Sequence, residues 1–268
     1  MRAITDNATQ PIDARSIDVW LAFYDEVADE RLLSAMDDLL SSAERAQQRR
    51  FHFADDRKRY LVTRALVRSV LSRYAPVAPT DWTFRENAYG RPAIGHDHEE
   101  AAGLQFNISH ARGLIALAVG RHRELGIDVE NLVHRPVSTE IADRFFSPAE
   151  AAELASVPAE RRQDRFFEYW TLKESYIKAR AMGLSLPLDK FSFLLKQPRG
   201  IRMQIDASLH DDPQRWSFFQ YRPTRDHLLA LCIERCAGPP PIVTLRKMTP
   251  AGAYERFDTP LLKSSAFA

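Results

Sequence analysis

Cysteine is almost missing from this chain: 268 residues hold two, Cys232 and Cys236. Two thiols cannot build a disulfide framework, and their spacing is not that of a metal knuckle. They read as reduced thiols at a strand end, which makes the cytoplasm the expected compartment. Long apolar runs are also missing. No stretch approaches the roughly 18–20 residues needed to span a bilayer. The opening MRAITDNATQPIDARS lacks the apolar segment of a secretory signal. No membrane partner is therefore expected. An excess of charge is the third absence. Lys and Arg total 37 against 36 Asp and Glu. That balance gives no global reason to bind nucleic acid, so any anionic ligand must be held by a local patch. What is present is ordinary globular material, 45% hydrophobic and 27% charged. The length allows one large domain or two small ones, and either can bury a core.

Periodicity predicts the elements. Residues 17–24 alternate as a strand, and Leu32, Leu33, Met36, Leu39 and Leu40 repeat at helical spacing. Ser41 or Ser42 caps a helix AERAQQRRF, and a longer helix covers about 55–74, ended by Pro76 and Pro79. WTFRE and NAYGRPAI read as strand and turn, followed by strands LQFNISH, LIALAVG and LGIDVE. STEIADRFF reads as helical. Ser147-Pro148-Ala149-Glu150 has a capping Ser, a Pro at the first helical position and a Glu three residues on. A helix over about 159–181 follows, with Gly183 as its terminating glycine. Strands are expected near 190–195, 201–206, 216–221 and 228–234. No sequence repeat is visible, yet each half runs from helix into several strands. The fold class is therefore α+β, two side-by-side subdomains over 16–122 and 123–237. Residues 1–15 are expected as a tail. The compact part is expected to end at the GPPP of 238–241, leaving 238–268 as an extension.

Four groups of residues can carry chemistry. Asp128 and Glu130 lie on one face of the GIDVE strand, where two carboxylates can converge on a hard cation such as Mg²⁺. A half-exposed strand with a polar face explains them equally simply. Trp170, Glu174 and Lys178 are spaced four apart on one helix face. That acid and ammonium suit a metal-bridged phosphate, or form a surface pair of about 0.3–0.5 kcal/mol. Ser109 and His110 end the strand FNISH. As strand neighbours they face opposite ways, so they are no hydrolase pair, but they can bind phosphate or form a turn. Arg45, Arg49, Arg50, Arg57, Lys58, Arg59, Arg64 and Arg68 make a basic stretch, and Arg91 adds an arginine on a turn. Guanidinium groups clamp phosphate, or the stretch is a solvated face.

In combination these pieces become specific. GIDVE, followed some 40 residues later by WTLKESYIKA, resembles the signature of the Sfp-type 4′-phosphopantetheinyl transferases. RRF, ALVRSVLSRY, YGRP, FNISH, RFFSPAE and GLSLPLDKFSF extend the likeness over about 43–193. The resemblance implies a pseudo-dimer of two similar α+β halves within one chain, working as a monomer. It implies transfer of the phosphopantetheine arm of coenzyme A to a serine of an apo acyl or peptidyl carrier protein, releasing adenosine 3′,5′-bisphosphate. It implies Mg²⁺, with Mn²⁺ as an alternative. Residue by residue, it makes Asp128, Glu130 and Glu174 metal ligands, with Glu174 also a possible base. Lys178 is placed on a coenzyme phosphate. His110 with Ser109, Arg91 and Arg59 are placed around the bisphosphate end. Glu150 matches an acid proposed to deprotonate the carrier serine, and it also completes a capping box with Ser147. Both readings of Glu150 stand at this point. Glu44 and Gln47 depart from the pattern, falling where relatives carry lysine.

Two other classes compete. A metal-dependent nuclease would use the same acids but wants a broad basic surface, which the charge balance opposes. A non-catalytic module that binds carrier or coenzyme would not be expected to keep Asp128, Glu130, Glu174 and Lys178 intact.

Overall fold

Strand β1 (Ser16–Ala22) shows how the chain is layered. Trp20 and Ala22 point into one core, while Ile17, Val19 and Leu21 point into another. A strand buried on both faces reads as a continuous apolar run, as IDVWLA does. The computed structural model describes residues 10, 12–133, 142, 144–248 and 253–267. Most of the expected helix STEIADRFF lies outside the described residues.

In the first half, β1 leads to helices α1 (Glu30–Asp38), α2 (Ser42–Arg50) and α3 (Ala54–Leu71). A small hairpin of β2 (Phe84–Glu86) and β3 (Pro92–Ile94) follows, then β4 (Leu104–Ala111) and β5 (Leu114–Arg121). The second half holds β6 (Leu125–Asn131), α4 (Pro148–Ser156), α5 (Ala159–Arg180), β7 (Phe191–Leu194), β8 (Arg202–Ile205), β9 (Trp216–Thr224) and β10 (His227–Glu234). The crossing between halves is a turn at His122, whose φ is +56°. Among the described residues two main sheets result, completed by β11 (Ile242–Met248), β12 (Tyr254–Arg256) and β13 (Leu261–Ser264). One has the order β12-β11-β1-β5-β4 and the other β13-β9-β10-β6.

Among the described residues three cores separate the layers. Helices α1 and α3 cover one face of the first sheet through Leu32, Met36, Leu66 and Val70. Helix α5 covers the second sheet through Leu172, Tyr176 and Phe167. The inner faces of the sheets meet in a third core of Ile17, Val19, Leu117's neighbours Ala116 and Ala118, Ile127, Val129, Leu229 and Leu231. The α+β expectation is met, and the two halves have like architecture.

The chain ends behave differently from the sequence reading. Residues after Gly238 do not leave the compact part. Strand β11 (Ile242–Met248) runs parallel to β1, and β12 (Tyr254–Arg256) pairs with β11. Strand β13 (Leu261–Ser264) pairs with β9 in the other sheet. Tyr254 packs edge-on against Trp20 at 4.8 Å. The 238–268 segment thus covers an edge of both sheets. Its weak pattern has a physical reason: edge strands are only half buried, so their apolar signal is diluted. At the other end Ile12 is buried in the first core, and the Gln10 amide donates to the Arg73 carbonyl. The final turn of α5 also differs. Its left-handed residue is Ala181 (φ +54°), with Gly183 adopting the same region two residues later.

Removing residues 238–268 exposes the backbone edge of the fully buried β1. The truncated chain is expected to aggregate on expression, against a soluble full-length control. A monodisperse, cooperatively melting truncation in size-exclusion and thermal scans would refute the stapling role of this segment.

Candidate active site

The site is built where α5 lies on β6. Gly126 makes that approach possible, because a Cβ there would collide with the Ser175 carbonyl and the Ala179 amide of the helix. On β6, Ile127 and Val129 enter the core between the sheets, so Asp128 and Glu130 face α5 instead. Helical spacing on α5 turns Trp170, Glu174 and Lys178 back towards them.

The contacts are direct. Lys178 Nζ donates to Asp128 Oδ1 at 2.7 Å and to Ser109 Oγ at 2.9 Å. Ser109 Oγ donates to the same Asp128 oxygen at 3.0 Å. Trp170 Nε1 donates to Glu130 Oε1 at 3.1 Å. The structure therefore brings together Asp128, Glu130, Glu174, Lys178 and Ser109 from three different elements. Their electrostatics are strained by like charge. Burial and then the Asp128 carboxylate push Glu130 up to about 7. Burial and then Asp128 push Glu174 up to about 7, with Lys178 opposing. Burial raises Asp128 too, against the pull of Lys178 and Ser109. His110 points out of the opposite strand face. The packing around its ring lowers its pKa, and the nearby Arg59 charge lowers it further. Arg59 itself pairs with Asp56 at 2.8 Å.

The donor chemistry here is of the kind a hard cation takes, but the carboxylates are not gathered round one point. Asp128 Oδ2 is buried and has no hydrogen-bond partner among the described residues. The three acids supply only oxygen ligands, as Mg²⁺ prefers, and Glu130 and Glu174 are part-exposed so that water can complete a shell. Among the described residues no three His, Cys, Asp or Glu side chains stand close enough to enclose an ion. The ammonium of Lys178 instead serves as the positive partner of Asp128.

Two of the sequence candidates sit elsewhere. Glu150 does not join this cluster. Its side chain is fully buried and pairs with Lys173 Nζ at 2.8 Å. It accepts from the Ser147 amide at 2.9 Å and the Phe193 amide at 2.8 Å. The capping-box reading accounts for these contacts, and a serine from another protein cannot reach a carboxylate so enclosed. Arg91 is turned inward. Its guanidinium donates to the carbonyls of Lys178 (2.9 Å), Ala179 (3.2 Å) and Leu125 (3.1 Å), so it holds the end of α5 against β6 rather than facing a ligand.

Most of the basic stretch is engaged by neighbouring groups of the protein, although only Arg68 is buried. Arg68 is buried, pairing with Glu44 at 2.8 Å and donating to the Pro79 and Trp82 carbonyls. Arg57 binds the carbonyls of Phe51 and His52, and Arg45 that of Asp37. Glu44 is not a stray surface acid. It forms a capping box with Ser41 and holds Arg64 and Arg68. Two structural residues were missed from sequence: Lys173 and Asn107, whose Oδ1 accepts from the Ile127 amide at 2.9 Å. Lys173 carried a signal, being the lysine beside Glu174 in WTLKES. Asn107 carried one in its alternation with Ser109.

Comparisons with known proteins identify the family. Residues 124–232 match the family described as the 4′-phosphopantetheinyl transferase superfamily, and residues 28–122 match the 4′-phosphopantetheinyl transferase N-terminal family. 4′-Phosphopantetheinyl transferase HetI of Nostoc sp. is 35% identical over 196 residues, covering 72% of this chain and 78% of that protein. 4′-Phosphopantetheinyl transferase Sfp of Bacillus subtilis is 36% identical over 179 residues, 67% of this chain and 75% of its own. The solved holo-[acyl-carrier-protein] synthase of Thermotoga maritima shows a partial likeness, at 20% identity and a TM-score of 0.34 over 42% of this chain and 62% of that one. The chain belongs to the 4′-phosphopantetheinyl transferase superfamily. It is a transferase, moving the phosphopantetheine arm of coenzyme A to carrier proteins. No helix among the described residues is long and apolar enough to cross a membrane.

Two outcomes are expected. Glu150→Ala leaves Lys173 charged and buried, which should cost about 3–5 kcal/mol of stability, whereas Glu150→Leu with Lys173→Met should recover most of it. Urea titrations check this, and a single variant as stable as the parent would contradict the pairing. The second concerns pH in the presence of chelator. Glu130 and Glu174 are raised in the folded state, so the folded chain binds more protons than the unfolded one between about pH 4.5 and 7. Stability should therefore fall as pH rises through that window. Melting curves that instead rise across it would show the acids to be relaxed.

Proposed function

We propose that the acids at the seam hold Mg²⁺, or Mn²⁺ in its place, and that this chain modifies a serine hydroxyl of apo acyl or peptidyl carrier proteins as a single-chain enzyme. The observation that carries this reading is the partnerless buried Oδ2 of Asp128, with Glu130 and Glu174 beside it and Lys178 over it. A bound divalent cation supplies charge neutralisation at the coenzyme's pyrophosphate. Asp128, Glu130 and Glu174 are its ligands in this reading. Lys178 transfers its ammonium from Asp128 to a phosphoryl oxygen when the coenzyme arrives. His110 and Arg59, on the outer face of β4 and the start of α3, hold the bisphosphate end and so position the reacting phosphorus. Arg91 contributes by fixing the α5 terminus that carries Lys178.

The serine oxygen attacks the phosphorus that bears the pantetheine arm. The bond from that phosphorus to the bridging oxygen breaks, and adenosine 3′,5′-bisphosphate leaves with the electron pair. Glu174 accepts the serine proton. It lies near Asp128 and Glu130 and is part-exposed, which Glu150 is not. The nuclease alternative loses its basis, because most of the basic stretch is engaged within the protein.

The test is mass spectrometry of a panel of apo carriers incubated with the chain, coenzyme A and Mg²⁺. A carrier should gain about 340 Da, the mass of the arm. Glu174→Gln should lower kcat by about 10²–10⁴-fold with its melting curve preserved. Asp128→Ala should abolish transfer. Full turnover by either variant removes that residue from its assigned role.

A further inference from the structure

We propose that Ser109 is a positioning residue that acts on the reaction through Asp128, and that it does not bind the coenzyme's phosphate. The inference rests on the reading of Asp128 as a cation ligand, and it departs from what adjacency to His110 implies.

The hydrogen-bond inventory of the hydroxyl carries it. A serine hydroxyl has one hydrogen to donate and two lone pairs to accept with. Lys178 Nζ at 2.9 Å and the Val129 amide at 3.3 Å are both obligate donors, so they take the lone pairs. The hydrogen is left for Asp128 Oδ1 at 3.0 Å. The hydroxyl is then saturated, and Ser109 is only 7% exposed. A phosphate could bind it only by taking the hydrogen away from Asp128. That carboxylate is buried, so removing this hydrogen would leave its Oδ1 held by Lys178 alone and cost a buried hydrogen bond to a charged group.

Strand geometry separates the two neighbours. Along β4, Asn107 and Ser109 face β6 while His110 faces outward near Arg59. Asn107 Oδ1 takes the Ile127 amide and Ser109 Oγ takes the Val129 amide. These side chains replace a strand-to-strand ladder and pin β6 on both sides of Asp128. Only Ser109 also holds the carboxylate and its ammonium partner. Its effect should thus appear in cation binding, and His110 is left as the neighbour that can face a phosphate.

The experiment has two readouts. Mn²⁺ binding to the full chain without coenzyme is measured by the electron paramagnetic resonance of free Mn²⁺. Transfer is then compared between coenzyme A and coenzyme A lacking its 3′-phosphate. Ser109→Ala should weaken Mn²⁺ binding about 10–100-fold, as loss of an outer-shell partner does. Its preference for the 3′-phosphorylated coenzyme should stay within about twofold of the parent's. Ser109→Thr, which keeps the hydroxyl, should restore Mn²⁺ binding. Should Ser109→Ala fail to fold, Ser109→Cys carries the same comparison, since its thiol is close in size and a weak hydrogen-bonder. Unchanged Mn²⁺ affinity, or a collapse of the 3′-phosphate preference, overturns the proposal. A parent chain that transfers the arm yet binds no Mn²⁺ overturns the ligand reading of Asp128 beneath it.

Discussion

The close approach of α5 to β6 is the constraint on which the rest of the structure depends. Only a glycine at 126 lets the helix backbone lie against the strand. With that spacing set, Glu174 and Lys178 fall over Asp128, and Trp170 over Glu130. The approach is reinforced from both directions. Arg91 reaches across from the first half to bind the last carbonyls of α5, and Asn87 Nδ2 donates to the Ala181 carbonyl at 2.7 Å. At the other side Asp211 takes Tyr176, Arg180 and Trp216 on one oxygen, anchoring the same end of the helix. An acidic face needs this rigidity, because a loose helix would let the carboxylates move apart.

The two halves share a device written in nearly the same letters, Ser41-Ser42-Ala43-Glu44 and Ser147-Pro148-Ala149-Glu150. Ser41 and Glu44 form a capping box at the start of α2, and Ser147 and Glu150 form one at the start of α4. In each case the glutamate is buried and paired to a base on the following long helix, Arg64 and Arg68 in one half and Lys173 in the other. The device ties a short helix to a long one beneath it. It explains both the inward Glu44 and the inward Glu150. Each carboxylate has its partners within the protein, so neither is placed to meet a substrate.

The seam between the sheets joins architecture to chemistry. β4 and β6 are edge strands of different sheets, and edges must be satisfied. Asn107 and Ser109 satisfy β6 with side chains instead of backbone. A polar side chain is thereby drawn into a place where it also touches Asp128 and Lys178. The candidate site is thus a consequence of how two similar halves meet, and no single half contains it.

Much of this was legible before any coordinates. Alternation placed Asp128 and Glu130 on one strand face, and spacing of four placed Trp170, Glu174 and Lys178 on one helix face, because both periods are properties of the backbone. The α+β class and most element positions followed from the same two periods. What the sequence could not determine is which polar group meets which. Whether Glu150 serves a cap or a substrate, whether Arg91 faces out or in, and whether the last thirty residues belong to the fold all depend on contacts between distant segments. Those contacts carry no local period. The tertiary structure decided them through burial: a charge taken out of water must find partners, and the partners of Glu150, Arg91 and Arg68 lie inside the protein.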